Sequence, residues 1–294
     1  MKWKDSYHPY AMVTILFWSL AYVLTRLCLQ YFSAFSLGFL RYFIASLALL
    51  VMAVWTKMRP PRKKDIPLFI ASGAMGFFLY MIAFNQGQAR VTAATASVVI
   101  ATVPVITSLL ASLLYREKLQ GFQWLAILVE FAGVVVLTLM DSAFTVNGGL
   151  FWLFLAACSL AVYNLLQRKL TKTYSALQAS TYSIFCGTIM LAVFAPMSIQ
   201  EVSHAPMAQY VYLLILGVCS GAIAYVTWSK AFSKAKQTSL VSNYMFLTPF
   251  LTSILGFALA HEYPGRATLV GGALILLGVG FFNMAGSLSA KRRS

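Results

Sequence analysis

Acidic side chains are scarce in this chain: 294 residues carry only 7 Asp and Glu against 22 Lys and Arg, and charged residues of both signs make up 10% of the total. A soluble domain carries about 25% charge, so water is not the solvent this chain is built for. Histidine is scarcer still, with His8, His204 and His261 the complete set. Three separated histidines and seven singly scattered acids lack the spacing of a metal site and form no constellation for acid–base or nucleophilic chemistry. A membrane-embedded enzyme is therefore disfavoured, and neither a metal nor a cofactor is expected. The four cysteines, Cys28, Cys158, Cys186 and Cys219, all fall within apolar runs without paired spacing. They read as small buried hydrophobes, not as disulfides or ligands.

What is abundant is apolar. Hydrophobic residues make up 60% of the chain and the mean hydropathy is +0.79, so the solvent is lipid. Ten runs are each long enough to cross a hydrocarbon core of about 30 Å: 9–30, 36–56, 66–86, 93–115, 122–140, 149–167, 175–196, 210–229, 238–260 and 267–286. The first follows a short basic start but is longer than a signal-peptide core and has no small-residue cleavage site after it. It reads as a retained first span.

The net charge of +15 raises the question of a nucleic-acid partner, which the positions of the basic residues answer. With the N-terminus inside, 18 of the 22 Lys and Arg fall on inner segments, such as Lys57 to Lys64, Arg168 to Lys172 and Lys291 to Arg293. The outer loops keep only Arg90 and Arg266. This is the positive-inside pattern of a polytopic membrane protein with both termini in the cytoplasm, and no nucleic acid is implied.

Residues 76–133 repeat 145 positions later. Gly76 falls on Gly221, Tyr80 on Tyr225, Ser97 on Ser242, Pro104 on Pro249, Thr107 on Thr252, Ser108 on Ser253, Glu117 on Glu262 and Gly133 on Gly278. With five spans per unit, an odd number, the second copy enters the membrane from the opposite side. Inverted repeats supply two nearly equivalent conformations, one open to each side, as alternating access requires.

The ten-span plan resembles the EamA family of the drug/metabolite transporter superfamily. The residues that carry the resemblance are a small-residue-rich fourth span with Pro104, Glu117 at its end and a fifth span ending Ala132-Gly133-Val134-Val135. The second half repeats them with Pro249, Glu262 and Leu277-Gly278-Val279-Gly280. The resemblance implies an all-α integral membrane protein, with ten transmembrane helices as two inverted five-helix repeats around a central cavity. It also implies movement of small metabolites, most often export of amino acids and related compounds. The expected units are residues 1–141, residues 142–287 and a basic cytoplasmic tail, 288–294. The expected setting is the cell (inner or plasma) membrane, with a small-molecule substrate and the bilayer as partners. The expected state is a monomer or a homodimer.

Pro104 and Pro249 sit in mid-span and deprive the carbonyls of Ile100 and Met245 of their helical donors. They mark hinges or cavity positions, or are tolerated prolines repaired by nearby threonines. Gly76 and Gly221 allow close approach of helices. Trp18, Tyr22, Tyr80, Tyr163, Asn164, Tyr225, Trp228 and Asn243 place aromatic and hydrogen-bonding groups at membrane depth, where they must face protein or a water-filled cavity. These are the substrate-binding candidates. Trp55, Trp124 and Trp152 lie near span ends and suit an interfacial belt.

Three ionisable groups stand within spans. Glu130, in mid-span, is a proton carrier, a neutral carboxyl or a helix contact, and its counterpart in the second copy is Ile275. Arg26 and Arg41 either snorkel to the headgroups or hold a carboxylate, that of Glu130 or of a substrate. The small multidrug antiporters of the same superfamily carry a glutamate in their first span, and residues 9–30 here contain no acid. A multidrug or cation transporter is thus the second choice, and a non-transporting interaction protein the third. A neutral or zwitterionic solute suits these residues better.

Overall fold

The computed structural model describes residues 6–116, 121–140 and 148–260, together with 266, 269–271, 273–274, 277–278 and 281. Among the described residues the chain is all helical, with no strand. Lipid offers the backbone no hydrogen-bond partners, so each span must close its own N–H and C=O groups, which a helix does locally. The elements are α1 (His8–Cys28), α2 (Ala34–Trp55), α3 (Ile66–Gly73), α4 (Tyr80–Gln88), α5 (Ala93–Ile100), α6 (Val103–Tyr115) and α7 (Gly121–Met140). There follow α8 (Gly148–Leu170), α9 (Ala176–Leu191), α10 (Ala195–Ser203), α11 (Met207–Leu214), α12 (Ala224–Lys234), α13 (Thr238–Ser242) and α14 (Thr248–Ala260).

Several of these join end to end, and among the described residues eight continuous helical runs are long and apolar enough to cross a membrane. Within α7, Gly121–Gly133 is a shorter apolar stretch. The run expected at 267–286 lies largely outside the described residues, as do Glu117 and Glu262. The seventh run does not stop at 196. It passes through a 3-10 turn (Ala192–Phe194) and continues as α10 to Ser203, with Pro196 in the opening turn, where a missing N–H costs nothing.

Helix starts follow the local sequence. Ser33, Thr92 and Ser175 cap α2, α5 and α9, each side chain accepting the N–H three residues on. At Ser175 the Gln178 side chain returns a bond, completing a capping box.

The irregularities fall at matched positions of the two copies. Between α3 and α4 the helix widens to a π-helical segment, Ala74–Leu79, and between α11 and α12 to another, Ile215–Ile223. Such segments often mark functional sites. The α5–α6 run breaks at Ala101 and Thr102, and the α13–α14 run tightens into 3-10 geometry over Asn243–Leu247. Pro104 and Pro249 each stand second in the helix that follows the break.

The outer surface is apolar: Val51, Val54, Leu113, Phe151, Ile189 and Ile199 are all more than half exposed, as lipid contact requires. Inside, α1 packs on α12 and α14, α2 on α9 and the second π segment, α4 on α8, and α3 on α9. One aromatic-rich core runs through the centre from Trp18 and Tyr22 to Phe77, Tyr163, Tyr225 and Trp228.

Candidate substrate cavity

A cavity of about 20 Å³ opens within this core, lined on the side of the first copy by Trp18, Tyr22, Arg41, Tyr80 and Phe84. The second copy contributes Leu160, Tyr225, Met245 and Thr248. A volume of this size holds about one water molecule and no metabolite. Tyr22 and Arg41 are each 4% exposed, Trp18 7% and Tyr80 8%, so the side chains that line the cavity are buried.

Aromatic contacts narrow the space around it. The Trp18 ring lies 5.1 Å from that of Tyr225 and 5.0 Å from that of Trp228. Towards the end that carries Gln88, Tyr22 meets Phe84 edge-on at 5.1 Å, and Gln88 Nε2 donates to the Tyr22 carbonyl at 2.5 Å. Arg26 Nη1 donates to the Gln88 carbonyl at 3.4 Å, which joins α1 to α4 outside the cavity. At the opposite, basic end, His8 Nδ1 bonds the Tyr244 hydroxyl and Tyr7 packs edge-on against the same ring. There Arg168 Nη1 donates to the carbonyls of Phe232 and Ala235 at 2.6 Å, and its Nη2 donates to that of Lys236 at 2.7 Å.

Of the residues singled out from the sequence, Trp18, Tyr22, Tyr80, Tyr225 and Arg41 therefore share the cavity. Four others stand behind it in this conformation. Tyr163 is fully buried, with its ring over Gly76 and edge-on to Phe77 at 5.2 Å. Asn164 accepts from Trp228 Nε1 at 3.0 Å and donates to Thr107 at 3.3 Å, tying α8 to α12 and α6. Asn243 lies beside Glu130 in the 3-10 segment. Among the described residues neither carboxyl oxygen of Glu130, nor Asn243 Nδ2, has a hydrogen-bond partner within 3.5 Å. Glu130 is fully buried, away from Arg41, with its Cγ against Gly278.

Arg41 reaches the cavity because α2 is held close to the second π segment. A Cβ on Gly217 would come within 2.5 Å of Ile44, and one on Gly221 within 3.0 Å of the Ala45 Cβ. Arg41 Nη2 then donates to the Ser220 carbonyl at 3.4 Å, while Nε has no partner.

Sequence reasoning missed the contributions of Phe84, Met245, Thr248 and Tyr42, whose hydroxyl donates to that of Tyr225 at 3.0 Å. It also missed a buried polar chain joining α3, α8, α9 and α12. Gln167 Nε2 donates to Ser72 and Ser183 at 3.1 Å, Ser229 donates to Gln167 Oε1 at 3.0 Å, and Ser180 pairs with Ser229 at 2.6 Å. The one available signal was the presence of Gln167, an amide, at the end of an apolar run. Among the described residues no group of three His, Cys, Asp or Glu comes together to hold a metal ion.

Membrane-length helices surround a small aromatic and polar cavity, the architecture of a polytopic membrane protein. The model of the EamA-like transporter family matches residues 6–139 and again 147–284, and the chain belongs to that family. It is 31% identical over 267 residues to the uncharacterized transporter YdfC of Bacillus subtilis (strain 168), covering 90% of this chain and 86% of the relative. It is 29% identical over 275 residues to a probable terminal-alkyne amino-acid exporter of Streptantibioticus cattleyicolor, covering 92% and 91%. An S-adenosylmethionine uptake transporter of Rickettsia bellii is 26% identical over 243 residues, covering 83% and 81%. One solved crystal structure shares the fold, with a TM-score of 0.73 over 97% of both chains at 19% identity. The family and these relatives are transporters and not enzymes, and the protein resides in a membrane.

Proposed function

We propose that the protein is a secondary transporter of the cell membrane that exports amino acids or related neutral or zwitterionic solutes by alternating access. Ten helices form two inverted repeats, 1–141 and 142–287, with a basic tail, 288–294, and both termini in the cytoplasm. The observation that supports this most directly is the cavity, which draws its buried lining from both copies. The meeting of two repeats is where alternating access places the substrate site. Opening towards the cytoplasm would separate Tyr7 and His8 from Tyr244 and release Arg168 from the end of α12. Opening outwards would part Tyr22 from Phe84 and Gln88. Pro104 and Pro249, at the matched breaks, supply the hinges.

The similarity to a probable amino-acid exporter supports the substrate class. The relatives named for S-adenosylmethionine uptake support a second reading, import of a related amino-acid derivative. A multidrug role finds less support, because no acid lines the cavity.

Uptake of labelled amino acids and related metabolites into proteoliposomes tests the proposal, with protein-free liposomes as the blank and with or without an imposed pH gradient. Saturable uptake of one class, lost in Trp18→Ala and Tyr80→Ala, is the expected result. A panel in which nothing moves above the blank would remove the amino-acid reading.

A further inference from the structure

We infer that Arg41 is the anchor for a solute carboxylate, and that the carboxylate, not the ammonium, is the group by which this transporter recognises its cargo. The inference rests on the transport reading and narrows it. A guanidinium has five N–H donors and is always charged. Arg41 is 4% exposed at membrane depth, yet its one hydrogen bond among the described residues is the 3.4 Å contact to the Ser220 carbonyl. Its Nε is unpartnered, and its Cζ lies 5.7 Å from the Tyr42 ring centre. A buried cation left in this state is expensive, and intramembrane charges kept without an ion partner mark substrate or ion paths.

Among the described residues no acid supplies the missing anion. Asp65 accepts the Tyr174 hydroxyl at 2.5 Å and Glu201 accepts the Ser33 N–H at 2.8 Å, both at span ends. Glu130 faces Asn243 and Gly278 on α7, which takes no part in the cavity lining. The remaining four, Asp5, Glu117, Asp141 and Glu262, lie outside the described residues. With no described acid against Arg41, the anion that completes it is that of the solute.

The chemistry of the lining limits what that anion is. Arg41 is the one cation in it, and a single planar guanidinium matches a single planar carboxylate in a two-bond fork. A phosphate dianion would need a second cation. With no acid in the lining, an α-ammonium group would meet only hydroxyls and the π-faces of Trp18, Tyr22, Tyr80 and Tyr225. It is tolerated there but not required. The cargo is a monocarboxylate with an apolar part, amino acids included.

The test uses wild-type protein in proteoliposomes and each labelled amino acid of the panel that it moves. Competitors are the corresponding amino-acid amide, the corresponding 2-oxo acid and inorganic phosphate. The 2-oxo acid is expected to compete within about 10-fold of the amino acid itself. The amide is expected to be weaker by on the order of 100-fold, the usual loss when a buried charge is left without its partner. Phosphate is expected not to compete. Arg41→Lys, which keeps the charge but loses the fork, should raise KM by on the order of 10-fold and leave kcat nearly unchanged. Arg41→Gln should abolish the preference for acid over amide. An amide that competes as well as its acid overturns the role of Arg41 while leaving transport intact, and needs no variant to fold. Equal competition by phosphate overturns the choice of carboxylate. If wild-type protein moves no amino acid, the export reading falls and the Arg41 assignment falls with it.

Discussion

The ring of Tyr163 lies so close over Gly76 that a methyl group on Gly76 would collide with it. This contact joins the first π-helical segment to α8 and couples one copy to the other at the centre of the core. Gly76→Ala is expected to lower stability by about 1–3 kcal/mol, the usual cost of overpacking. Thermal unfolding in detergent measures it, with Gly121→Ala as a control, since a Cβ on Gly121 meets nothing within 4 Å. In a Tyr163→Ala background the Gly76→Ala cost should shrink, and equal costs in both backgrounds would show that the ring is not the cause.

Asn164 links three helices through Trp228 and Thr107. Its replacement by Ala leaves the indole N–H of a fully buried Trp228 without a partner. The expected loss is about 1–3 kcal/mol. Trp228→Phe removes the same bond from the other side, so the double variant should lose less than the sum. Strict additivity in unfolding measurements would contradict the linkage.

Arg168 closes the end of α12 by bonding three carbonyls near its C-terminus, where positive charge also suits the helix dipole. Arg168→Ala should free residues 232–236 to open locally. Hydrogen exchange is expected to accelerate there and to stay unchanged in α2. Unchanged protection at 232–236 would mean that other contacts hold this end shut.

Pro104 and Pro249 stand just after the helix breaks, at positions where proline costs little. Alanine at either site permits a continuous helix. Folding should be unharmed while transport turnover falls with KM nearly constant, because a straightened span opens less readily. A KM change at constant turnover would assign these residues to substrate contact instead.

Glu130 is buried beside Asn243 and its carboxyl oxygens have no hydrogen-bond partner among the described residues, so the isosteric neutral Glu130→Gln breaks no bond among them. Stability should not fall. If Glu130 carries the coupling proton, uptake by the variant ceases to respond to an imposed pH gradient to which wild-type protein does respond. A variant that keeps the full response excludes it from that role.

Most of the helical runs were legible because the signal is one-dimensional: an apolar stretch of bilayer length needs no partner to be recognised. The breaks before Pro104 and Pro249 were legible for a similar reason, since a proline acts on its own turn. The π-helical widenings were not, because they arise where glycines let neighbouring helices press in. Trp18, Tyr80 and Tyr225 were identifiable as cavity residues by their type and their spans. Tyr163 and Asn164 have the same kind of side chain but stand behind the cavity, packed and hydrogen-bonded.

The sequence by itself determined the solvent, the positions of eight membrane-length runs and the repeated residue pattern, since composition, length and identity at fixed spacing do not depend on how helices are turned. Only the tertiary structure decided which side of each helix faces inward. Arg26 and Arg41 look alike along the chain, one near the end of α1 and the other near the start of α2. Arg26 bonds the Gln88 carbonyl outside the cavity, and Arg41 enters the cavity. Each residue turns a helix by about 100°, so the packing of α2 against Gly217 and Gly221, and not local sequence, sets where the Arg41 guanidinium lies.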